Sequence, residues 1–165
     1  LQQAREALER AQGRRVPIVI KIAPDMDEPD LRQLARTVLD SGMDGLAATN
    51  TTVDHAAVAH LPHGTETGGL SGQPLKARAT EVVAIVSDEL AGRLPVIGVG
   101  GIASADDALE KLQVGARLVQ LYTGLVYGGP ALPGRIVRGL AGHPKAGESF
   151  GESLDRACQS VGKGD

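Results

Sequence analysis

The chain has almost none of the residues from which nucleic-acid surfaces are built. Aromatic residues make up 2% of its 165 positions, and tryptophan is absent. A stacking platform for single-stranded nucleic acid needs aromatic rings. The formal net charge is −3, with acids and bases interspersed, so no basic stripe is available to follow a phosphate backbone. The composition therefore predicts no nucleic-acid partner.

Cysteine and long apolar runs are also scarce. Cys158 is the only cysteine and has no partner for an internal disulfide, which fits a reducing compartment. No apolar run reaches the roughly 20 residues of a membrane-spanning helix, and the N-terminus does not resemble a signal peptide. With 42% hydrophobic residues, the chain is typical of a globular domain.

Side-chain sets for metal binding or nucleophilic catalysis are lacking as well. Three of the four histidines, His55, His60 and His63, lie in one polar segment, with no neighbouring cysteine and no helical i, i+4 pair. That pattern favours a solvated loop over a metal site. No Ser/His/Asp set stands out. We therefore predict no metal ligands.

Short apolar runs alternate with amphipathic helical patterns over the first 140 residues. The runs at 16–23, 45–50, 94–101 and 118–123 predict four strands. Helical patterns lie between positions 1 and 13, 27 and 42, 74 and 90, 104 and 115, and 132 and 140. Continuous apolar strands joined by helices predict a parallel sheet.

Polar or glycine residues stand at the C-terminal end of every predicted strand. A β/α barrel collects its ligand groups there from all strands, whereas a doubly wound sheet uses one switch point. We therefore predict an α/β fold of the (β/α)8 TIM-barrel type. A whole barrel needs about 250 residues, so residues 1–140 would form about half of one and 141–165 a tail. The sequence starts inside a helix and with leucine, so we expect a truncated chain.

Two consecutive predicted strands end in glycine, in the segments 98–101 (GVGG) and 122–124 (YTG). In barrels, backbone N–H groups after the last two strands bind phosphate. The first segment fits only the relaxed dinucleotide fingerprint, and the acidic residue expected about 20 positions later is missing. The pair therefore favours a phosphate site. A third segment, 67–72 (TGGLSG), has glycines that permit close backbone approach, although a flexible loop is the alternative.

Lys21 and Asn50 are the polar side chains whose roles the sequence leaves open. Lys21 interrupts an apolar strand. It either reaches solvent at the strand end, faces an anionic cofactor or forms a Schiff base. Asn50 offers donors and an acceptor that suit the edge of a cyclic amide. Alternatively, Asn50 and Thr51 only satisfy backbone groups of a turn.

Taken together, five segments resemble the C-terminal half of dihydroorotate dehydrogenase of the quinone-dependent class. They are KIAPD at 21–25, ATNTTVD at 48–54, TGGLSGQP at 67–74, RLPVIGVGGI at 93–102 and LVQLYTG at 118–124. The run TNTTVD and the ending YTG favour the quinone-linked class over the soluble classes. The resemblance covers roughly residues 14–140.

The resemblance implies the last four units of an FMN-binding (β/α)8 barrel and a role for individual residues. Lys21 would lie beside the flavin pyrimidine ring and stabilise negative charge on it, and Thr49 would contact FMN. Asn50 and Thr51 would bind orotate or dihydroorotate. The phosphate and ribityl chain would be held by Gly72, Gly101, Tyr122 and Thr123. The family's catalytic base is a serine of the N-terminal half, so no catalytic residue is named in this chain.

By resemblance, the parent protein is a flavoprotein oxidoreductase of pyrimidine (UMP) biosynthesis. It oxidises dihydroorotate to orotate and passes electrons to ubiquinone or menaquinone. It would attach peripherally to the cytoplasmic side of the inner membrane through its missing N-terminal region, and the isolated segment would be inactive. Two alternatives stay open: a phosphate-binding barrel aldolase or lyase using Lys21, and a non-catalytic fragment that pairs with a complementary half or with itself.

Overall fold

The computed structural model describes residues 2–143. Within them, helices and strands alternate as predicted from α1 to β4. The strands are β1 (Val19–Ile22), β2 (Gly45–Ala48), β3 (Val96–Val99) and β4 (Leu118–Gln120). The helices are α1 (Gln2–Gln12), α2 (Glu28–Asp40), α3 (Lys76–Leu90), α4 (Ala105–Gln113), α5 (Thr123–Gly128) and α6 (Leu132–Ala141). Leu1 and the predicted tail from residue 144 onward, including Cys158, lie outside the described residues.

The four strands form one parallel sheet in the order β1-β2-β3-β4. Lys21 pairs in register with Ala47, and Gly98 pairs with both Ala48 and Val119. The order follows the chain without a reversal, so the described sheet has no switch point of the doubly wound kind. This order is that of consecutive β/α units of a barrel.

The helices pack on one another along one face of the sheet. α2 contacts α3, α3 contacts α4, and α4 contacts α6. Ile22, Leu46 and Val96 are at most 4% exposed and form the core with the apolar faces of α2 and α3. At the two edges of the sheet, Val19 and Leu118 are 39% and 60% exposed. The sheet is therefore covered by helices on one face, as the wall of a barrel is.

The helical patterns predicted from positions 27 and 104 are confirmed, and each helix begins with a side-chain cap, at Asp27 and at Ser104. The Asp27 carboxylate accepts from the backbone N–H of Asp30 at 2.9 Å, and the Ser104 hydroxyl accepts from the N–H of Asp107 at 3.1 Å. Each bond satisfies one of the N–H groups that the first turn of a helix leaves unpaired. Because both caps follow strand ends, they also fix where each loop at that edge of the sheet stops.

The prediction of a fourth strand over 118–123 is wrong at its C-terminal end. The strand stops at Gln120, and Thr123 begins α5, which the sequence analysis did not predict. Tyr122 leaves the extended region, with φ −136° and ψ −80°. A Cβ at Gly124 would lie 2.1 Å from the carbonyl oxygen of Ile102. The chain thus turns against the loop after β3, a long-range contact with no local sequence signal.

The N-terminal helix α1 was correctly predicted, but its apolar residues are not buried. Leu8 is 62% exposed, and no residue of α1 is buried within the described chain. The helix is instead attached by Arg5, whose guanidinium lies 2.9 Å from the Asp44 carboxylate. An ion pair, and not the burial of its apolar residues, therefore holds α1 in position within the described chain.

A lysine lies fully buried between α3 and α4. The Lys111 side chain is 0% exposed, and its ammonium donates to the carbonyl oxygen of Lys76 at 3.0 Å and to the Thr80 hydroxyl. The first carbons of its side chain pack against β3, where a Cβ at Gly98 would be 3.0 Å from the Lys111 Cβ. Burial lowers the pKa of Lys111 to about 8, although the Glu110 carboxylate opposes the shift.

We expect the substitution Lys111→Met to change how stability depends on pH. Between about pH 8 and 10.5 the folded wild type binds fewer protons at Lys111 than the unfolded chain does. Its free energy of unfolding therefore gains a contribution as pH rises through that window. Urea unfolding at pH 7 and pH 9.5 should show wild type gaining stability relative to the variant. An unchanged difference between the two proteins would contradict the assignment.

Candidate functional site

The carboxyl ends of the strands surround a cavity of about 220 Å³. Seven of the eight predicted site residues line it: Lys21, Asn50, Thr51, Gly72, Gly101, Tyr122 and Thr123. Small-molecule sites usually enclose roughly 300–1,000 Å³. The described residues therefore form part of the wall of such a site.

A larger cavity of about 930 Å³ lies among α1, β1 and α2. Its lining includes apolar side chains such as Ile20, Leu34 and Met43. None of the predicted ligand groups lies there. The strand-end cavity, where charged, amide and backbone groups converge, is therefore the candidate site.

Lys21 points into the strand-end cavity because of strand alternation. Ile20 and Ile22, on either side of it, pack into the helix-covered core. Successive side chains of a strand point to opposite faces, so Lys21 lies on the face without helices. Its side chain is exposed rather than buried, and its ammonium makes no ion pair or hydrogen bond within residues 2–143. The group is thus free to meet an anionic ligand.

The loop that carries Asn50 and Thr51 is fastened to the loop after β1. The backbone N–H of Asn50 donates to the carbonyl oxygen of Ile22 at 2.7 Å. The Asp25 carboxylate accepts from the Thr52 hydroxyl and from the N–H of Val53, the latter at 3.1 Å. The Asn50 amide itself has no hydrogen-bond partner in the described chain. The backbone is therefore held while the side chain stays available.

Thr49 is the predicted site residue that does not line the cavity. It is 1% exposed, its N–H donates to the carbonyl oxygen of Val99 at 3.0 Å, and its hydroxyl donates to the carbonyl oxygen of Asn50 at 2.8 Å. Thr49 thus lies behind the wall and supports Asn50. Its contact with a cofactor stays a prediction.

The polar segment after β2 is closed on itself and is not a free linker. Thr52 and Leu70 exchange two backbone hydrogen bonds, of 3.1 and 2.8 Å, in an antiparallel bridge. The two ring nitrogens of His55 lie 3.2 and 2.9 Å from the carbonyl oxygens of Gly64 and Gly68. Because these contacts fold the segment back on itself, Ser71 and Gly72 at its end lie in the lining of the cavity.

Three glycine-containing turns meet at one side of the cavity. The hydroxyls of Ser71 and Thr123 are 2.8 Å apart. A Cβ at Gly72 would lie 3.1 Å from the Thr123 Cγ2, and one at Gly124 would overlap the Ile102 carbonyl. Only turns without side chains at these positions come so close. Their backbone groups are therefore concentrated around one point.

Two supporting carboxylates were missed as functional groups by the sequence analysis. Asp25 belongs to the segment KIAPD, and Asp107 lies in the helical pattern predicted between positions 104 and 115. Burial opposes ionisation of Asp107, but the Lys76 ammonium at 2.6 Å and the N–H of Ala103 hold its pKa at about 2. Both carboxyl groups tether strand-end loops through hydrogen bonds from backbone N–H groups. The spacing of a capping motif was the one local signal for Asp107.

Within residues 2–143, no group of three or more histidine, cysteine, aspartate or glutamate side chains is arranged to hold a metal ion. In the same part of the chain, no helix is both long enough and apolar enough to cross a membrane.

A family model for dihydroorotate dehydrogenase matches residues 2–143. The chain belongs to the dihydroorotate dehydrogenase family. It is 49% identical over 146 residues to the dihydroorotate dehydrogenase (quinone) of Pseudomonas fluorescens (strain SBW25), covering 88% of this chain and 43% of that protein. It is 52% identical over 136 residues to the dihydroorotate dehydrogenase (quinone) of Acidovorax sp. (strain JS42), and this match covers 82% of this chain and 39% of that protein. The predicted resemblance is confirmed.

Solved structures of the family have the same fold. A crystal structure of DHODH from Eimeria tenella in complex with ferulenol matches with a TM-score of 0.79 and 35% identity, over 84% of this chain and 40% of that one. The chain thus spans about two-fifths of the length of its relatives. The prediction of a partial β/α barrel is confirmed.

We expect Gly101→Ala to destabilise the protein more than Gly129→Ala does. Both glycines have positive φ, +71° and +72°, so alanine is strained at each, by about 1–2 kcal/mol. At Gly101 a Cβ would also lie 2.5 Å from the Lys76 Cα, whereas nothing lies within 4 Å at Gly129. Overpacking adds about 1–3 kcal/mol. Urea unfolding measures both, and equal losses would show that the turn at Gly101 has room to move.

Proposed function

We propose that this chain provides part of the active site of an FMN-dependent dihydroorotate dehydrogenase that uses a quinone. One observation carries the proposal. In a chain of this family, an ammonium and a carboxamide that have no partner within residues 2–143 converge with three glycine turns on one strand-end cavity. The curated relatives are named dihydroorotate dehydrogenase (quinone), which supports dihydroorotate as the substrate and a quinone as the electron acceptor.

The backbone turns fit the phosphate end of FMN. The N–H groups of Gly101 and Ile102 make no hydrogen bond to another described residue. Thr123 is the first residue of α5, so its N–H has no partner within that helix. Together with Gly72 and Tyr122, they would hold the phosphate and the ribityl chain. A flavin supplies a ring that accepts hydride. The close approach of the turns leaves room for an anion and none for added side chains.

Lys21 fits the ring end of the same cofactor. Its ammonium is exposed in the cavity and has no carboxylate partner within residues 2–143. Once a bound flavin excludes water from the cavity, a fixed cation would stabilise negative charge that develops nearby by more than it does in solution. Lys21 would therefore favour hydride transfer by holding negative charge on the pyrimidine ring of the flavin.

Asn50 and Thr51 fit a cyclic substrate that has both imide and carboxylate groups. A carboxamide presents a donor and an acceptor side by side, which matches the edge of the orotate ring. Asp25 and the Ile22 carbonyl fix the loop that carries them. The base that removes a ring proton would come from outside this chain, by resemblance a serine. The family resemblance likewise supports peripheral attachment to the cytoplasmic side of the inner membrane.

The substitution Lys21→Met should lower dihydroorotate-dependent dye reduction by about 100-fold, because the transition state loses a fixed cation. The chain is expressed with any sequence that its gene encodes before Leu1, and reduction is followed optically. Lys21→Arg should retain part of the activity. Arg14→Met, which removes an exposed cation outside the cavity, should leave it unchanged.

Two outcomes of that experiment would contradict the proposal. A colourless protein with no dye reduction would exclude a flavin enzyme. Borohydride trapping of a substrate on Lys21 would favour the aldolase or lyase alternative, since it requires a Schiff base.

The substitution Asn50→Leu should raise the KM for dihydroorotate by at least about tenfold, because polar groups of the bound substrate would lose their partner. The flavin content should stay unchanged, since Asn50 is assigned to the substrate. Steady-state kinetics and the flavin absorbance measure the two effects. Gln113→Leu, at an exposed position at the end of α4, serves as the control. Loss of flavin with an unchanged KM would reverse the assignment.

A further inference from the structure

The turn between β3 and α4, residues 100–103, has its polar backbone atoms divided into two sets. The carbonyl oxygen of Gly101 accepts from the Gln73 side-chain amide at 3.0 Å. The N–H of Ala103 donates to the Asp107 carboxylate at 3.0 Å. The N–H groups of Gly101 and Ile102 are left without partners in the described chain. Gln73 thus occupies an acceptor that would repel an anion, Asp107 fixes the N–H of Ala103, and the N–H donors of Gly101 and Ile102 stay free within residues 2–143.

Gln73 joins this turn to the neighbouring one. It lies in the short 3-10 turn Gln73–Leu75, directly after Gly72. Gly72 packs closely against the Thr123 side chain. Its amide nitrogen is also 3.4 Å from the Asp107 carboxylate. One side chain therefore sets the distance between the Gly72 turn and the Gly101 turn, through atoms that do not line the cavity themselves.

Asp107 would be unfavourable beside an anion if its charge were not balanced. Its carboxylate is paired with the Lys76 ammonium at 2.6 Å, and Lys76 also reaches Glu110 at 2.9 Å. Lys76 is itself in contact with Gly101, where a Cβ would lie 2.4 Å from the Lys76 Cβ. The carboxylate that holds the turn is thus paired with the ammonium of a residue that packs against the same turn.

We propose that Gln73 and Asp107 are positioning residues that orient the turn 100–103 for recognition of a phosphate monoester. They act through the backbone of Gly101 and Ala103 and touch no ligand. The inference rests on the proposed function, because FMN is the ligand whose phosphate would occupy the turn. It adds a specific consequence: loss of either tether should weaken binding of the phosphate and leave binding of the flavin ring unchanged.

The test compares FMN with riboflavin, which has the same ring and ribityl chain but no phosphate. The full chain in its gene context is freed of flavin, and both ligands are titrated by quenching of flavin fluorescence. Gln73→Met keeps the length of the side chain and removes its donor. We expect it to weaken FMN by about tenfold and to change riboflavin by less than about twofold. Gln113→Met is the matched control and should change neither.

A second variant pair tests Asp107. Asp107→Asn keeps an oxygen that can accept from Ala103, whereas Asp107→Ala removes it. The alanine variant should therefore lose more of the preference for FMN than the asparagine variant. If Asp107→Ala does not fold, Gln73→Met decides the question, because Gln73 is exposed and its replacement leaves the core intact.

The outcomes separate this inference from the function on which it rests. If wild type prefers FMN over riboflavin and Gln73→Met keeps that preference, the positioning role is overturned and the flavin site stands. If Gln73→Met weakens both ligands equally, the role is a general structural one and the inference is also overturned. If wild type itself binds FMN no better than riboflavin, the phosphate site fails, and the inference fails with it.

Discussion

The close approach of backbone turns at the carboxyl ends of the strands is the constraint on which the site depends. Gly124 lies against the Ile102 carbonyl, and Gly72 lies against Thr123. At these positions the chain has no side chain, so N–H groups from distant segments share one small region. A helix-covered parallel sheet makes this possible because it brings all strand ends to a single edge.

Support for the site comes from charged residues outside the cavity. Asp25 holds the loop after β2, while Asp107, paired with Lys76, holds the turn after β3. Each tether satisfies backbone donors that would otherwise compete for a ligand or move freely. Lys21, in contrast, has no partner among the described residues. Within residues 2–143, the structure thus separates the groups that organise the site from Lys21, whose ammonium is free to act in it.

The extent to which the site was predictable varied with the range of the interactions. Lys21, Asn50 and Gly101 were predicted because strand ends and glycines are local features. The start of α5 at Thr123 was not, since it depends on contact with the turn after β3. The burial of Lys111 was not predicted either, because lysine is ordinarily exposed and only the packing of α3 against α4 covers this side chain.

The sequence by itself determined the alternation of strands and helices up to β4, the helix starts at positions 27 and 104, and the family to which the chain belongs. These follow from hydrophobic periodicity, capping chemistry and the order of short segments, all of which act over a few residues. Only the tertiary structure decided that Thr49 lies behind the cavity wall and that Gln73 reaches Gly101. Such contacts join segments tens of residues apart, and their geometry is set by how the helices pack on the sheet.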